Sequence, residues 1–344
     1  METKKYDVTI GIPMYNAEDF IQRTMESVLS QTYNNIEYLI VDDGSTDHSV
    51  DILYTIIETH PRGGDVRLIK LSHNQGPSSV RNLIIDQAQG DYLYFMDSDD
   101  LIRKDTISLM MQYVHQEKAD IVFGSLEKIA VSGERILYQY PEMHFHQENE
   151  LANYAYRKYA GIQASACNIL ARISVIRDNH LRFVNSNYWE DFAFVIDLVA
   201  YYTHAVLLPD ITYTYLCRQN SLSNFQVRDH IDLSEIQRNI DVAKYMKDNS
   251  VRLSGKPYYP QRCFVTAMTD FYIACYILKH RQMIVPQVTD RDIRNMFSHP
   301  ASFTEICKFS QFRAKNLFLF CIGKTPPLIC VFVIHVLGKV KKLI

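Results

Sequence analysis

Apolar residues in the first hundred positions fall into two alternating patterns. Four short runs, Tyr6–Pro13, Ile36–Val41, Val66–Leu71 and Tyr92–Met96, read as strands, and Ile36–Val41 and Tyr92–Met96 are apolar enough to be buried parallel strands. Between them the apolar positions recur every three to four residues. Phe20, Ile21, Met25, Val28 and Leu29 share one helical face, and Asn16 is expected to be the N-cap, with Asp19 at N3. A second helix is expected over Asp47–Thr59, started by the Ser45 and Thr46 hydroxyls, and a third over Ser78–Gln87. Repeated strand–helix units with short connections predict an α/β fold: a doubly wound, mostly parallel sheet.

Further along, the patterns mix. A helix is expected over Thr106–Gln116, then a strand over Ala119–Ile129 and a polar, His-rich loop from Pro141 to His146. A helix starts at Glu190, and two strands follow, at Ala205–Leu208 and Thr212–Cys217. Beyond residue 229 the chain reads as helical, with Ile231–Met246 and Cys263–Leu278 the clearest segments. Leu317–Leu337 is apolar but broken by Gly323-Lys324 and Pro326-Pro327. Only Leu328–Leu337 is continuous, ten residues where a membrane-spanning helix needs ~20. Two readings stay open for it: a helix lying in a membrane interface, or a helix closing the core.

Composition sharpens the second half of the picture. The 344 residues are 47% apolar, enough for a large core and more than one domain. Net charge is −3, which by itself argues neither for nor against a nucleic-acid partner, and none is expected. Of the 36 basic residues, seven lie in residues 306–344, a segment without Asp or Glu. The first 305 residues therefore carry 29 basic against 39 acidic side chains, a balance of −10. An acidic body with a basic, apolar tail suits docking on an anionic surface. The seven cysteines show no CxxC or zinc-ligand spacing and are expected to be buried free thiols. Met1–Lys5 leads straight into a strand without a signal-peptide pattern, so a cytoplasmic location is expected, peripheral at the inner face of the cell membrane.

Candidate chemistry sits where two strands end. Val41-Asp42-Asp43-Gly44-Ser45 closes the second strand, and Phe95-Met96-Asp97-Ser98-Asp99-Asp100 closes the fourth. Open α/β sheets bind ligands beyond the carboxyl ends of their strands, so both clusters are expected at one crevice. Crowded carboxylates repel unless a cation or hydrogen-bond donors compensate, and a metal-bound phosphate ligand would supply the cation.

Taken together, the motifs resemble family 2 glycosyltransferases of the GT-A fold, over about residues 6–225. The resemblance rests on Ile10-Gly11-Ile12-Pro13-Met14-Tyr15-Asn16, Ser27-Val28-Leu29-Ser30-Gln31-Thr32 and Val41–Asp47. It continues through Asn74-Gln75-Gly76-Pro77 with Arg81-Asn82, then Asp97-Ser98-Asp99-Asp100 and Glu190-Asp191. It implies a glycosyltransferase domain at 1–228, split into a Rossmann-like nucleotide-sugar half (1–105) and an acceptor half (106–228). A helical C-terminal region would follow at 229–344.

The resemblance also implies roles. Asp99 would be the ligand of Mn²⁺ or Mg²⁺, with Asp97 and Ser98 positioning the donor, while Asp100 caps the next helix. Pro13 and Tyr15 would border the nucleobase and Asp43 would accept the uracil N–H, pointing to a UDP-sugar. Arg81 would reach the base or diphosphate, or else form only a surface salt bridge. Tyr215-Leu216-Cys217-Arg218 with Ser221-Leu222-Ser223 is similar to a segment closing many such domains, and Arg218 would meet the diphosphate. Asp191 would be the general base of an inverting transfer and Glu190 its support, beside Asn187-Tyr188-Trp189. The histidines at 144 and 146 are expected to be loop residues, not metal ligands.

The implied activity is transfer of a hexose or N-acetylhexosamine from UDP to a glycan, lipid-linked, during cell-surface polysaccharide assembly. Two other classes stay open: an aspartate-dependent phosphohydrolase, which also places Asp-x-Asp after an apolar strand, and an inactive nucleotide-sugar-binding module.

Overall fold

The computed structural model describes residues 6–157, 161–186, 189–218 and 230–344. The chain divides into two units. The first holds residues up to 151, 164–183 and 201–226; the second holds 152–163, 184–200 and 227–344. Two segments of the expected transferase domain, 152–163 and 184–200, thus belong with the helical C-terminal unit.

In the first unit, β1 (Tyr6–Met14), β2 (Ile36–Asp42), β3 (Val66–Lys70) and β4 (Gly90–Phe95) alternate with α1 (Ile21–Leu29), α2 (Ser49–Thr59) and α3 (Pro77–Gln87). β5 (Leu101–Ile102), α4 (Thr106–Glu117), β6 (Ile121–Ile129), β7 (Arg135–Tyr138) and β8 (Met143–Phe145) follow. The unit boundary falls inside α5 (Glu150–Arg157), and the chain returns for β9 (Ile169–Arg172), α6 (Ile173–Asp178) and, later, β10 (Ala205–Leu216). The sheet runs β3-β2-β1-β4-β9-β6-β10-β5, with β7 on β6 and β8 on β10. Pairs β2/β3, β1/β2, β1/β4 and β6/β10 are parallel, while β9 lies antiparallel between β4 and β6.

Every residue of β2 is buried, as its largely apolar run requires. Its one internal charge, Glu37, is satisfied: it accepts from Thr9 Oγ1 at 2.6 Å and Gln89 N at 2.8 Å and pairs with Arg67 at 2.8 Å. The neighbouring strands β1 and β4 flank the point where strand order reverses, and ligand crevices form there.

Several local expectations change. Asn16 does not cap α1, which starts at Ile21 behind Phe20. Asn16 instead takes a left-handed φ of 45°, accepts from Thr46 N at 2.9 Å and donates its own N–H to Ser45 Oγ at 2.9 Å. The Ser45 and Thr46 hydroxyls do not cap α2: its N-cap is His48, without a side-chain cap bond, and Asp47 before it accepts from Ser49 N at 3.1 Å. The two strands expected at 205–208 and 212–217 are one, β10, with register shifts around Pro209-Asp210 where proline lacks a ladder N–H. The expected His-rich loop contains β8, which pairs with β10.

Among the described residues, the second unit holds α7 (Glu190–Leu198), a two-strand pairing of β11 (Ile231–Asp232) with β12 (Ile284–Val285), and six further helices. These are α8 (Leu233–Val251), α9 (Tyr259–His280), α10 (Asp290–Met296), α11 (Phe303–Lys308), α12 (Arg313–Ile322) and α13 (Pro327–Val340). Its polar centre is the fully buried Arg262 of α9. That guanidinium donates to Ser250 Oγ (3.0 Å), the Tyr156 hydroxyl (2.7 Å) and Ile196 O (2.8 Å), and pairs with Asp197. Since Ile196 and Asp197 lie on α7, this network anchors the helix whose first turn carries Glu190 and Asp191. A second buried pair, Lys247 with Asp270 at 2.7 Å, ties α8 to α9. Among the described residues, no helix is long and apolar enough to cross a membrane.

Candidate active site

The first unit gathers Pro13, Tyr15, Asp43, Arg81, Asp97, Ser98, Asp99 and Arg218. Pro13 sits in β1 opposite Val41 of β2, and Tyr15 follows the strand with its ring exposed. Asp43, directly after β2, is buried. Its two carboxylate oxygens accept from the N–H groups of Gln75 (2.7 Å) and Gly76 (2.9 Å), tying the β2 end to the loop before α3. Local bonding thus occupies part of this group, although a carboxylate has about four acceptor positions. Gly76 is there because its φ of +87° with ψ of 160° suits only glycine.

The turn after β4 concentrates charge. Arg81 is buried, not the surface residue of the blander expectation: it pairs with Asp97 Oδ1 at 3.0 Å and lies over the Phe183 ring. Arg218 pairs with Asp99 Oδ2 at 2.5 Å. Each of these two carboxylates thus faces an arginine. Burial, then the nearby Asp97, pushes the Asp99 carboxyl above the ordinary 3.8, and Arg218 only partly offsets this.

Asp100 does not cap the following helix. The Tyr213 hydroxyl donates to it at 2.6 Å and Leu216 N at 2.9 Å, binding the turn to β10. Asp100 is held far above the usual carboxylate range by burial, then by Asp97 and Asp99. This bond also fixes the strand that delivers Arg218 two residues after Leu216.

Sequence reasoning missed the residues that frame the turn. Thr24 Oγ1 lies within hydrogen-bond reach of both Ser98 O (3.0 Å) and Asp100 O (3.1 Å), and Arg23 donates to Asp99 O at 3.3 Å. The Phe20 ring lies beneath both Arg23 and Arg218. Tyr213 also accepts the Asp97 N–H at 3.3 Å. A polar Thr24 on the otherwise apolar face of α1 was the available signal.

In the second unit, Glu190 and Asp191 form the first turn of α7, where the helix dipole favours anions. Trp189 precedes them with a left-handed φ of 67° and stacks on Tyr272 at 6.3 Å between ring centres. Asn187, Tyr188 and the Ser221-Leu222-Ser223 segment lie outside the described residues. His144 pairs with Glu117 at 2.6 Å and Glu142 at 3.4 Å. Among the described residues, no three His, Cys, Asp or Glu side chains form a metal cluster.

Residues 9–177 match the family model described as "Glycosyl transferase family 2". An uncharacterized glycosyltransferase of Haemophilus influenzae is 37% identical over 129 residues, 38% of this chain and 50% of that protein. The chain thus spans half the length of that relative. The succinoglycan biosynthesis protein ExoO of Rhizobium meliloti is 29% identical over 232 residues, 66% of this chain and 65% of that protein. Among solved structures, S. aureus TarS 1-349 in complex with UDP-GlcNAc is similar with a TM-score of 0.56 and 17% identity, covering 92% of this chain and 90% of that one. That likeness shows a GT-A type α/β fold.

Proposed function

The chain belongs to glycosyl transferase family 2 through residues 9–177, and from that membership we propose an inverting, metal-dependent hexosyl- or N-acetylhexosaminyltransferase. In this reading it moves the sugar from a UDP-sugar to a growing, lipid-linked glycan in cell-surface polysaccharide synthesis, working peripherally at the inner membrane face. Residues 1–228 would form the transferase domain. The TarS complex with UDP-GlcNAc supports the donor class, and the succinoglycan relative supports the polysaccharide class.

One observation carries the reading: at the end of β4, Asp97 and Asp99 face Arg81 and Arg218. A nucleoside diphosphate with a divalent cation offers the complementary charges, phosphate oxygens for the guanidiniums and a cation for Asp99. The residues fit such a cation. Hard cations take oxygen ligands, often one or two carboxylates plus the phosphates. Asp99, raised by burial and by Asp97, carries a carboxylate whose charge is under-compensated within the fold.

When bound, Mn²⁺ or Mg²⁺ would act as a Lewis acid offsetting charge on the departing diphosphate. Arg81 and Arg218 can each bind phosphate oxygens in a fork geometry. Pro13 and Tyr15 would border the uracil, and the unused lone pairs of Asp43 would accept its N–H. Asp191 would take the proton of the acceptor hydroxyl as that oxygen attacks the anomeric carbon from behind. The anomeric carbon–diphosphate bond breaks in the same step, and Glu190 would orient the acceptor.

A screen of UDP-sugars for UDP release, with and without Mn²⁺ and acceptor glycan, tests the reading. Release with one donor, dependent on metal and acceptor, supports it. No release with any UDP-sugar, or phosphate release without acceptor, overturns it.

A further inference from the structure

We propose that α13 docks the protein on an anionic lipid surface through an apolar stripe on its solvent side. The inference rests on the reading that the enzyme works at a membrane face. The helix is apolar almost all round, yet only one side is covered by protein. Cys330, Ile334 and Gly338, one per turn, are buried. A Cβ at Gly338 would lie 3.1 Å from Cys275 Sγ of α9, so this side is closely packed. On the opposite side Leu328, Ile329, Phe332, Val336 and Val340 are between 43% and 76% exposed. At 100° per residue these five fall on one face, diametrically opposite the buried row. Scattered exposed apolar residues are ordinary, but five on one helical face mark an interaction surface.

Charge selects the occupant. Lys324 before the helix, Lys339 in its last turn and Lys341 and Lys342 just beyond are all exposed. Residues 306–344 contain no acid to neutralise them. A second copy of the chain seated on the stripe would bring two such lysine sets together uncompensated. Lipid phosphates compensate them, and acyl chains accept the apolar row. At 14 residues, about 21 Å at 1.5 Å per residue, α13 lies along the interface instead of crossing it. The protein core takes the place that water occupies against the polar face of a free interfacial helix.

The test is sedimentation of the full chain with vesicles of phosphatidylcholine, alone or mixed with phosphatidylglycerol. Alongside the wild type stand Phe332→Asp/Val336→Asp and Lys339→Glu/Lys341→Glu/Lys342→Glu, each checked by thermal melt and light scattering. The expected result is binding to the phosphatidylglycerol vesicles only, weakened by salt and reduced about tenfold or more in each variant. UDP release with a water-soluble acceptor should be unchanged in both. The inference is overturned if the wild type ignores anionic vesicles or if both folded variants bind as well as it does. It is equally overturned by a wild-type dimer that Phe332→Asp/Val336→Asp converts to monomer. A wild type that releases UDP but binds no vesicles sinks this inference alone; a wild type that binds vesicles but releases no UDP sinks the transferase reading alone.

Discussion

Arg218 lies 2.5 Å from Asp99, the carboxylate with the strongest claim to a divalent cation. The protein thus supplies its own positive charge where catalysis would need another. Arg218 is not an ideal substitute, because the carboxyl remains raised by burial and by Asp97.

That imbalance makes Asp99→Asn informative. The raised group binds its proton more tightly folded than unfolded. Its contribution to stability is therefore full below 3.8 and lost as pH rises through the folded value. Asp99→Asn should raise the Tm at neutral pH without metal, the gain shrinking as pH falls towards 3.8. Calorimetric titration should show that Mn²⁺-dependent UDP binding is lost. A lower Tm at neutral pH, or unchanged UDP affinity in Mn²⁺, contradicts the assignment.

Tyr213→Phe removes the hydroxyl between Asp100 and the Asp97 N–H. Denaturant unfolding should show a loss of about 1–3 kcal/mol, the range for a buried charge-assisted bond. Because Arg218 follows two residues after the end of this strand, the KM for the UDP-sugar should rise together with the stability loss. An unaltered KM would mean that Tyr213 serves the fold alone.

Asp191→Asn tests the base. The kcat should fall by about 10²–10⁴, as for loss of general-base catalysis, with UDP affinity unchanged. Near-normal turnover would leave Asp191 as only a residue favoured by the start of α7.

Gly76→Ala isolates backbone strain. Nothing lies within 4 Å of the added Cβ, so the cost comes from φ of +87° alone, about 1–3 kcal/mol. Because Gly76 N–H and Gln75 N–H hold Asp43, UDP binding should weaken as well. A Tm within about 1 °C of wild type contradicts the strain assignment.

What the sequence alone determined was everything set by short-range periodicity. The βαβ units and the acidic ends of β2 and β4 follow from apolar runs and strand-end chemistry. Those signals are local, because a buried parallel strand must be apolar along its length. Partnerships had to wait for the tertiary structure, since hydrogen-bond partners come from distant segments. Asn16 looked like a cap but bonded across to Thr46, thirty residues away. Asp100, expected to cap a helix, was claimed by Tyr213, 113 residues on. Likewise, the C-terminal apolar run left two readings open in sequence, and α13 buries one row of side chains while exposing the opposite one. Hydropathy records that both faces are apolar, and only packing against α9 and α10 decides which one the protein keeps.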